Sequence, residues 1–243
     1  MYRHIKNYEL RYTDVDAYDR LKLSSLLSFL EESSCLSADE LGFGYKDVSP
    51  KKLGFVITNW YLKLDKPILL GDVLTVHTWP IKPKKCIFLR DYEIYINGVK
   101  TGVATARWCM INTETYALTP SSAFFRESDV ENYNTERSVV FTDWKIPVLQ
   151  DKAELYSKTI LYSDYDHNFH VNNTRYADFL LDVFSVDEMK NRIIDSVQIT
   201  YVKQCKETEK LTFFLGNSDG YYYVEGRVGC ELRVQLRIKF NEL

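Results

Sequence analysis

Residues 162–176 read YSDYDHNFHVNNTRY, a polar loop that runs into the start of a helix. Three polar side chains alternate along this loop, namely Asp166, Asn168 and His170. Asn172 and Asn173 follow at once, and either could cap a helix N-terminus because an asparagine side-chain oxygen accepts a free backbone N–H. The loop therefore presents an acid, an amide and an imidazole beside the positive end of a helix dipole.

The helix expected after this loop has a broad apolar face. Five apolar residues recur with i, i+3, i+4, i+7 and i+8 spacing: Tyr176, Phe179, Leu180, Val183 and Phe184. This spacing predicts one amphipathic helix that carries all five on its buried side. Each polar residue of the loop, taken alone, is better explained by turn hydrogen bonds, and it is their combination that indicates chemistry.

Length and composition indicate a folded globular protein. The chain has 243 residues, enough for one large domain or two of about 120, and 45% of them are hydrophobic. A net charge of −3 argues against general nucleic-acid binding, which needs a basic surface. Five cysteines without a C-x-x-C pair and four scattered histidines predict no disulfide framework, no metal site and no cofactor.

The chain has no segment that predicts targeting or membrane insertion. Its first residues lack the apolar stretch of a signal peptide, and no apolar run is long enough to span a membrane. We therefore expect a cytoplasmic protein that is neither exported nor inserted in a membrane.

The first part of the chain predicts a strand entering a polar loop, then a helix and more strands. Four leucines have helical spacing that ends before Gly42: Leu23, Leu26, Leu27 and Leu30. Residues 55–64 and 73–79 are rich in β-branched and aromatic residues, which predicts two neighbouring strands.

A hairpin is predicted between two further strands. Residues 86–96 and 99–111 flank Asn97 and Gly98. Both turn residues tolerate positive φ, as a type I′ turn requires. An antiparallel sheet is therefore expected in this region.

The second part of the chain repeats the order of the first. Residues 12–16, YTDVD, align with residues 162–166, YSDYD, at an offset of 150. Strands are again predicted after the helix, at 197–202, 211–215, 221–228 and 232–240. The last one alternates apolar residues with polar ones, which predicts a solvated face formed by Arg233, Gln235, Arg237 and Lys239.

Residues 121–152 separate the two repeats. They are polar and lack periodicity, and the segment is long for a loop inside one domain. We interpret it as a linker between a domain at 1–120 and a domain at 153–243.

In each repeat a strand, a loop and an apolar helix precede several antiparallel strands, and wrapping the sheet around the helix is the simplest way to bury it. This arrangement resembles the hotdog fold. The motif D-x-N-x-H-V-N-N at residues 166–173 is similar to the active-site signature of the acyl-acyl carrier protein (acyl-ACP) thioesterases, bacterial and plant enzymes that release fatty acids from their carrier. The resemblance implies an α+β fold of two hotdog units in tandem, the first holding the acyl chain and the second catalytic.

The resemblance implies thioester hydrolysis at this loop, with fatty-acyl-ACP as substrate. His170 is the expected general base, because an imidazole titrates near neutral pH. Asn168 could orient water or the carbonyl, while Asp166 could orient His170 or act as a base itself. The backbone N–H groups of Val171 and Asn172 are the expected oxyanion hole, since the first N–H groups of a helix lack partners within it.

Gln204 and Cys205 stand where the family typically carries Glu-Cys. The amide of Gln204 can hydrogen-bond water or an imidazole, but it cannot act as a base. Cys205 is a candidate nucleophile if the fold brings it to His170, and otherwise a buried or site-lining thiol.

The resemblance also implies sites for the acyl chain and the carrier. Four residues are candidates for lining an apolar tunnel, although ordinary core packing explains them as well: Leu26, Leu30, Phe55 and Ile57. The carrier is acidic, so the cluster Lys82, Lys84 and Lys85 is the expected docking surface, with a solvated turn as the alternative. The sequence is compatible with a homodimer and does not decide the oligomeric state.

Two other functions are compatible with these residues. An acyl-CoA thioesterase would use the same loop on a different carrier, and a non-catalytic acyl-binding module is suggested only by Gln204. Within the chain we expect one active site, because at the offset of 150 the first loop has Tyr18 for Asn168 and Arg20 for His170. Asp16 is expected to bond backbone N–H groups at the start of the first helix or to pair with Arg20.

Overall fold

The structure is a computed structural model that describes residues 2–126, 129 and 133–242. The first part of the chain contains strand β1 (His4–Glu9), a 3-10 turn (Tyr12–Asp14), helix α1 (Leu23–Glu40), helix α2 (Tyr45–Val48), a second 3-10 turn (Ser49–Lys51) and strands β2 (Leu53–Leu64), β3 (Val73–Pro80), β4 (Ile87–Ile96) and β5 (Val99–Asn112). After a 3-10 turn (Ser121–Ala123), the second part contains β6 (Ala153–Thr159), a 3-10 turn (Tyr162–Asp164), α3 (Asn173–Leu181), α4 (Val186–Met189), β7 (Arg192–Tyr201), β8 (Lys210–Ser218), β9 (Tyr221–Val228) and β10 (Glu231–Glu242).

All ten strands belong to one antiparallel sheet, which is consistent with the hotdog fold. Their order is β1-β3-β4-β5-β2-β7-β10-β9-β8-β6. The two parts of the chain meet where β2 pairs with β7, from Asn59 opposite Thr200 to Lys63 opposite Ser196. The Asn59 side chain donates to Thr200 Oγ1 across this junction at 2.9 Å. The sheet is therefore continuous from one repeat to the other.

The predicted hairpin is confirmed, whereas the predicted pairing of the two preceding strands is wrong. Asn97 and Gly98 have φ of 51° and 83°, and β4 pairs with β5 on either side of them. Strands β2 and β3 are separated by β5 and β4. Residues 65–72 can reach about 25 Å at roughly 3.3 Å per residue, whereas three strand spacings need only about 14 Å. Proximity in sequence therefore did not require pairing in the sheet.

Helices α1 and α3 contact each other and lie on one face of the sheet. Leu27 and Leu30 of α1 share a core with Phe179 and Leu180 of α3, and each of the four is at most 2% exposed. This core also contains apolar residues of both repeats' strands. The expected burial of each helix against the sheet is thus confirmed.

Helix α3 is shorter than its apolar spacing predicts. It ends at Leu181, so Val183 and Phe184 lie beyond it. Ser185 then caps α4 by accepting from the backbone N–H of Glu188 at 3.2 Å, and this local stop overrides the continuing apolar pattern. Phe184 is still buried, with its ring against Tyr222 and Phe240.

Residues 133–146 form a strap across the other face of the sheet. Phe141 stacks on Tyr61 with 4.0 Å between ring centroids, and the Arg137 side chain pairs with the buried Asp91 at 2.8 Å. The expected linker therefore packs on the sheet where it is described. Between Ser121–Ala123 and β6, its described residues form no α-helix or β-strand. Glu131 and Asn132 of the expected linker lie outside the described residues.

The expected solvated face of β10 is wrong at two of its four positions. Arg233 and Gln235 are each 5% exposed. The Arg233 guanidinium donates to the Gln204 carbonyl at 2.9 Å and to Glu209 at 3.0 Å. Arg237 is partly covered because it pairs with Asp143 of the strap at 3.0 Å. The alternation correctly predicts a strand, but sequence periodicity does not show what packs on the polar face.

No helix in the described ranges is both long and apolar enough to cross a membrane.

Candidate functional site

The polar loop before α3 has the same backbone as the loop before α1. Asn172 N–H donates to the Asp164 carbonyl at 2.9 Å, and Lys22 N–H donates to the Asp14 carbonyl at 2.9 Å. Equivalent turns also place a residue at φ 58° in each loop, Phe169 in one and Asp19 in the other. The two loops that align at an offset of 150 therefore share one backbone conformation.

The loop aspartates hold the backbone of their loops. Asp166 Oδ1 accepts from the backbone N–H of Asn168 at 2.8 Å and of His170 at 3.4 Å. Asp16 Oδ1 accepts from Tyr18 and Arg20 N–H groups in the same way, at 2.8 and 3.0 Å. Asp166 thus orients His170 through the backbone, and among the described residues it makes no hydrogen bond to the imidazole ring. Asn168 is exposed at the tip of this loop.

Both histidines of the loop lie against tyrosines of the first repeat. The His170 ring is 6.2 Å from the Tyr116 ring, and the exposed His167 ring is 6.0 Å from the Tyr45 ring. Within the described part of the chain, no hydrogen bond or ion pair engages the His170 ring nitrogens. They are therefore available to a substrate, and the first repeat supplies one wall of the site.

At the start of α3, one of the two N–H groups expected to form the oxyanion hole is not available. Asn172 is the N-cap, and its side chain accepts from Thr174 N–H at 2.8 Å. Its own N–H is occupied by the Asp164 carbonyl, so Asn172 cannot offer it to an oxyanion. The N–H groups of Val171 and Asn173 form no hydrogen bond within residues 133–242 or the other described ranges. Val171 therefore stays a candidate, and Asn173 replaces Asn172.

Glu31 of α1 reaches this site, and sequence reasoning missed it. Asn173 Nδ2 donates to the two Glu31 oxygens at 2.9 and 3.0 Å. Desolvation raises the pKa of the Glu31 carboxyl, and the nearby Asp166 charge raises it further. Glu31 lies four residues after Leu27 and eight after Leu23, so an acid on an apolar helical face was the available indication.

Cys205 is not joined to His170 by any hydrogen bond or ion pair of the described residues. It is 1% exposed, and its N–H donates to the Tyr176 hydroxyl at 3.2 Å. Burial raises the pKa of the Cys205 thiol, which disfavours the reactive thiolate. The backbone carbonyl of Gln204 holds Arg233 at 2.9 Å. The geometry therefore fits a structural thiol better than a nucleophile.

The four candidate tunnel residues do not share one cavity. Leu26 and Leu30 are buried in the main core, with Ile57 packed against it, while Phe55 joins a separate cluster. Leu26 borders a cavity of about 50 Å³, together with Asp16 and Arg20. A larger cavity of about 220 Å³ lies beside the second cluster and is lined by aromatic residues that sequence reasoning did not select: Phe43, Phe124, Phe125 and Tyr133.

Lys82, Lys84 and Lys85 are exposed in the turn before β4. None of them forms an ion pair with another described residue. The turn adjoins the end of β5, because Ile87 pairs with Cys109 there, and Tyr116 follows in the next loop. The lysines therefore lie at the same end of the sheet as the tyrosine that contacts His170. In the described ranges, no group of three or more His, Cys, Asp or Glu side chains could hold a metal ion.

In the first loop, Arg20 occupies the position that corresponds to His170 in the second. Its guanidinium donates to the carbonyls of Arg192 at 2.7 Å and Met189 at 2.9 Å, and it pairs with Asp16 at 3.0 Å. The expected pair of Asp16 with Arg20 is confirmed, whereas its backbone bonds are to Tyr18 and Arg20 within the loop and not at the start of α1. The first loop thus joins the two repeats and offers no free proton-transfer group.

Two family models match most of the chain. The model of the acyl-ACP thioesterase N-terminal domain matches residues 1–120, and that of the acyl-ACP thioesterase C-terminal domain matches residues 149–237.

Curated relatives and solved structures agree with these matches. The chain is 26% identical over 96% of its length to a chloroplastic palmitoyl-acyl carrier protein thioesterase of Arabidopsis thaliana, and 24% identical over 84% to an oleoyl-acyl carrier protein thioesterase of the same plant. It spans about 60% of the length of these relatives. The fold is similar to an acyl-ACP thioesterase of Bacteroides thetaiotaomicron, with TM-score 0.89, 22% identity and 98% of each chain covered. It is also similar to a 12:0-ACP thioesterase of Umbellularia californica, with TM-score 0.82, 17% identity and 99% and 98% covered.

Proposed function

Because the chain belongs to the acyl-ACP thioesterase family, we propose that it hydrolyses the thioester of acyl-ACP, releasing a free fatty acid and ending chain elongation. The observation that carries the proposal is the loop before α3. It presents an imidazole with unengaged nitrogens beside N–H groups at a helix start. Such a site can transfer protons and stabilise an oxyanion, which are the two requirements of thioester hydrolysis.

We infer that the fold comprises two hotdog units in tandem, at residues 1–120 and 153–243, joined by residues 121–152. The repeated order of strand, polar loop, helix and antiparallel strands supports this division. The matching backbones of the two loops support it as well. In this reading the second unit provides the reactive loop, and the first provides the wall formed by Tyr45 and Tyr116.

Release of free thiol from acyl-ACP is the direct test. We expect turnover with acyl-ACP. The same acyl chain on coenzyme A should give a lower kcat/KM, because coenzyme A lacks the protein surface with which the carrier docks on the enzyme. Higher kcat/KM with coenzyme A would favour the acyl-CoA thioesterase. Binding of the acyl chain without release of thiol would favour a non-catalytic acyl-binding module.

We propose Lys82, Lys84 and Lys85 as the docking surface for the acidic carrier. They are exposed, lack ion-pair partners among the described residues and lie at the same end of the sheet as Tyr116. Reversal of all three charges should raise KM for acyl-ACP by about tenfold at low salt, at roughly 0.5 kcal/mol per exposed charge. The effect should shrink as salt rises and should be absent with a small acyl thioester.

A matched control uses Lys66, which is exposed beyond the opposite end of β2. Lys66→Glu should leave KM for acyl-ACP nearly unchanged. An equal increase of KM for acyl-ACP and for the small thioester would argue against carrier docking by the three lysines.

A further inference from the structure

Glu31 reaches from the first repeat to the start of the catalytic helix. Its two oxygens lie 2.9 and 3.0 Å from the side-chain nitrogen of Asn173, the first residue of α3. The loop with Asp166 and His170 ends one residue earlier, at the N-cap Asn172. A carboxylate 142 positions away in sequence therefore stands beside the reactive loop.

The Glu31 contact fixes the orientation of the Asn173 amide. With Nδ2 donating to Glu31, the side-chain oxygen Oδ1 is directed elsewhere, and it is buried without a hydrogen-bond partner in the described ranges. An unsatisfied buried acceptor is unfavourable, so such an atom usually marks a place for a water or a ligand donor. A water there could donate to Asn173 Oδ1 and to a Glu31 oxygen.

The surroundings of Glu31 raise the pKa of its carboxyl and so favour proton uptake by it. Desolvation is the largest cause that raises its pKa, and the charges of Asp166 and Glu32 add to it. The Asn173 hydrogen bond and His167 act in the opposite direction. Cys35, Tyr92 and Tyr201 also interact electrostatically with Glu31. A carboxylate with a raised pKa is a stronger base than an ordinary surface glutamate.

We propose that Glu31 and Asn173 bind the attacking water and that Glu31 accepts its proton. The inference rests on the proposed thioesterase function and adds a catalytic residue from the first repeat. The water oxygen forms a bond to the thioester carbonyl carbon as one water proton passes to Glu31, and the C=O π electrons move onto the carbonyl oxygen to give an oxyanion. The C=O bond then re-forms as the C–S bond breaks with its electron pair on sulfur, which takes a proton from His170. Glu31 afterwards loses its proton to solvent, and His170 regains one.

Glu31→Gln tests this role because glutamine keeps the shape and can still accept from Asn173. We expect kcat for acyl-ACP to fall by about 100-fold, the contribution of a general base. The melting temperature should stay equal or rise, since a desolvated charge is removed. The pKa of Glu31 is higher in the folded protein than in the unfolded chain, so the free energy of unfolding decreases as the pH rises above the pKa that Glu31 has in the unfolded chain. Glu31→Gln should abolish this decrease.

The pH profile separates catalysis from a structural role. The wild-type rate should decrease at low pH as Glu31 becomes protonated, and this decrease should begin above the pH range in which an ordinary glutamate titrates. Glu31→Asp should show a similar decrease at low pH, with a lower maximal rate. Glu9→Gln, a change at an exposed glutamate of β1 that is not among the groups acting on Glu31, is the control and should leave kcat within about twofold.

Undiminished kcat in folded Glu31→Gln, in an enzyme whose wild type releases thiol, would overturn the role of Glu31 and leave the thioesterase proposal intact. A lowered melting temperature with unchanged kcat per folded molecule would also overturn it, since this is the result of a purely structural contact. Absence of thiol release by the wild-type chain would instead contradict the proposed function itself.

Discussion

His170→Ala should lower the turnover number for acyl-ACP by roughly 100-fold or more, the usual contribution of a positioned proton-transfer group. The imidazole contacts the Tyr116 ring, and no hydrogen bond of its nitrogens to another described residue would be lost. Truncation of a side chain in this setting should cost less than about 1 kcal/mol of folding free energy. The variant should therefore fold normally and fail in catalysis.

Single-turnover release of thiol, with thermal unfolding measured in parallel, checks this expectation. His167→Ala is the matched control, because His167 lies in the same loop and also contacts a tyrosine ring. Its effect should be only a few-fold. A folded His170→Ala protein with nearly full activity would remove His170 from the mechanism.

Arg20→Ala should lower the free energy of unfolding by about 3–5 kcal/mol, because it removes two hydrogen bonds from a charged donor, each contributing about 1.5–3 kcal/mol. Arg20 is 8% exposed and donates to two carbonyls of the second repeat, at Met189 and Arg192. Its removal would leave these acceptors and Asp16 without their partner. The substitution therefore weakens the contact between the two repeats and leaves the reactive loop unchanged.

Urea unfolding measures this loss, and Lys52→Ala provides the control. Lys52 also pairs with a carboxylate, Glu114 at 2.8 Å, but both side chains are more than half exposed. An exposed pair contributes at most about 1 kcal/mol. Folded Arg20→Ala enzyme should keep its turnover number. Complete loss of catalysis in the folded variant would contradict a single active site at the loop before α3.

Features encoded by neighbouring residues were predictable from the sequence. Asn97 and Gly98 form the expected turn because their own backbone preferences determine it. The repeat at an offset of 150 was visible in the loop motif, and Asn172 caps α3 as its residue type predicts. These features depend on interactions within a few residues.

Features that depend on distant partners were not predictable in the same way. Periodicity cannot show that Glu31 meets Asn173, since the two residues belong to different repeats. It also cannot show that β2 pairs with β7, or that Arg233 is covered on its polar face. A local pattern fixes which face of an element is apolar, but the identity of its neighbour depends on the topology of the whole sheet.

The pairing of β2 with β7 has a consequence for aggregation. Each of these strands would be an unpaired edge if its repeat stood alone, with a long row of free N–H and C=O groups. Such an edge is a template for pairing with other chains. Pairing residues 59–63 of β2 with residues 196–200 of β7 covers a central part of both edges at once. In the described sheet, the strands at the two ends are the short β1 and β6, of six and seven residues.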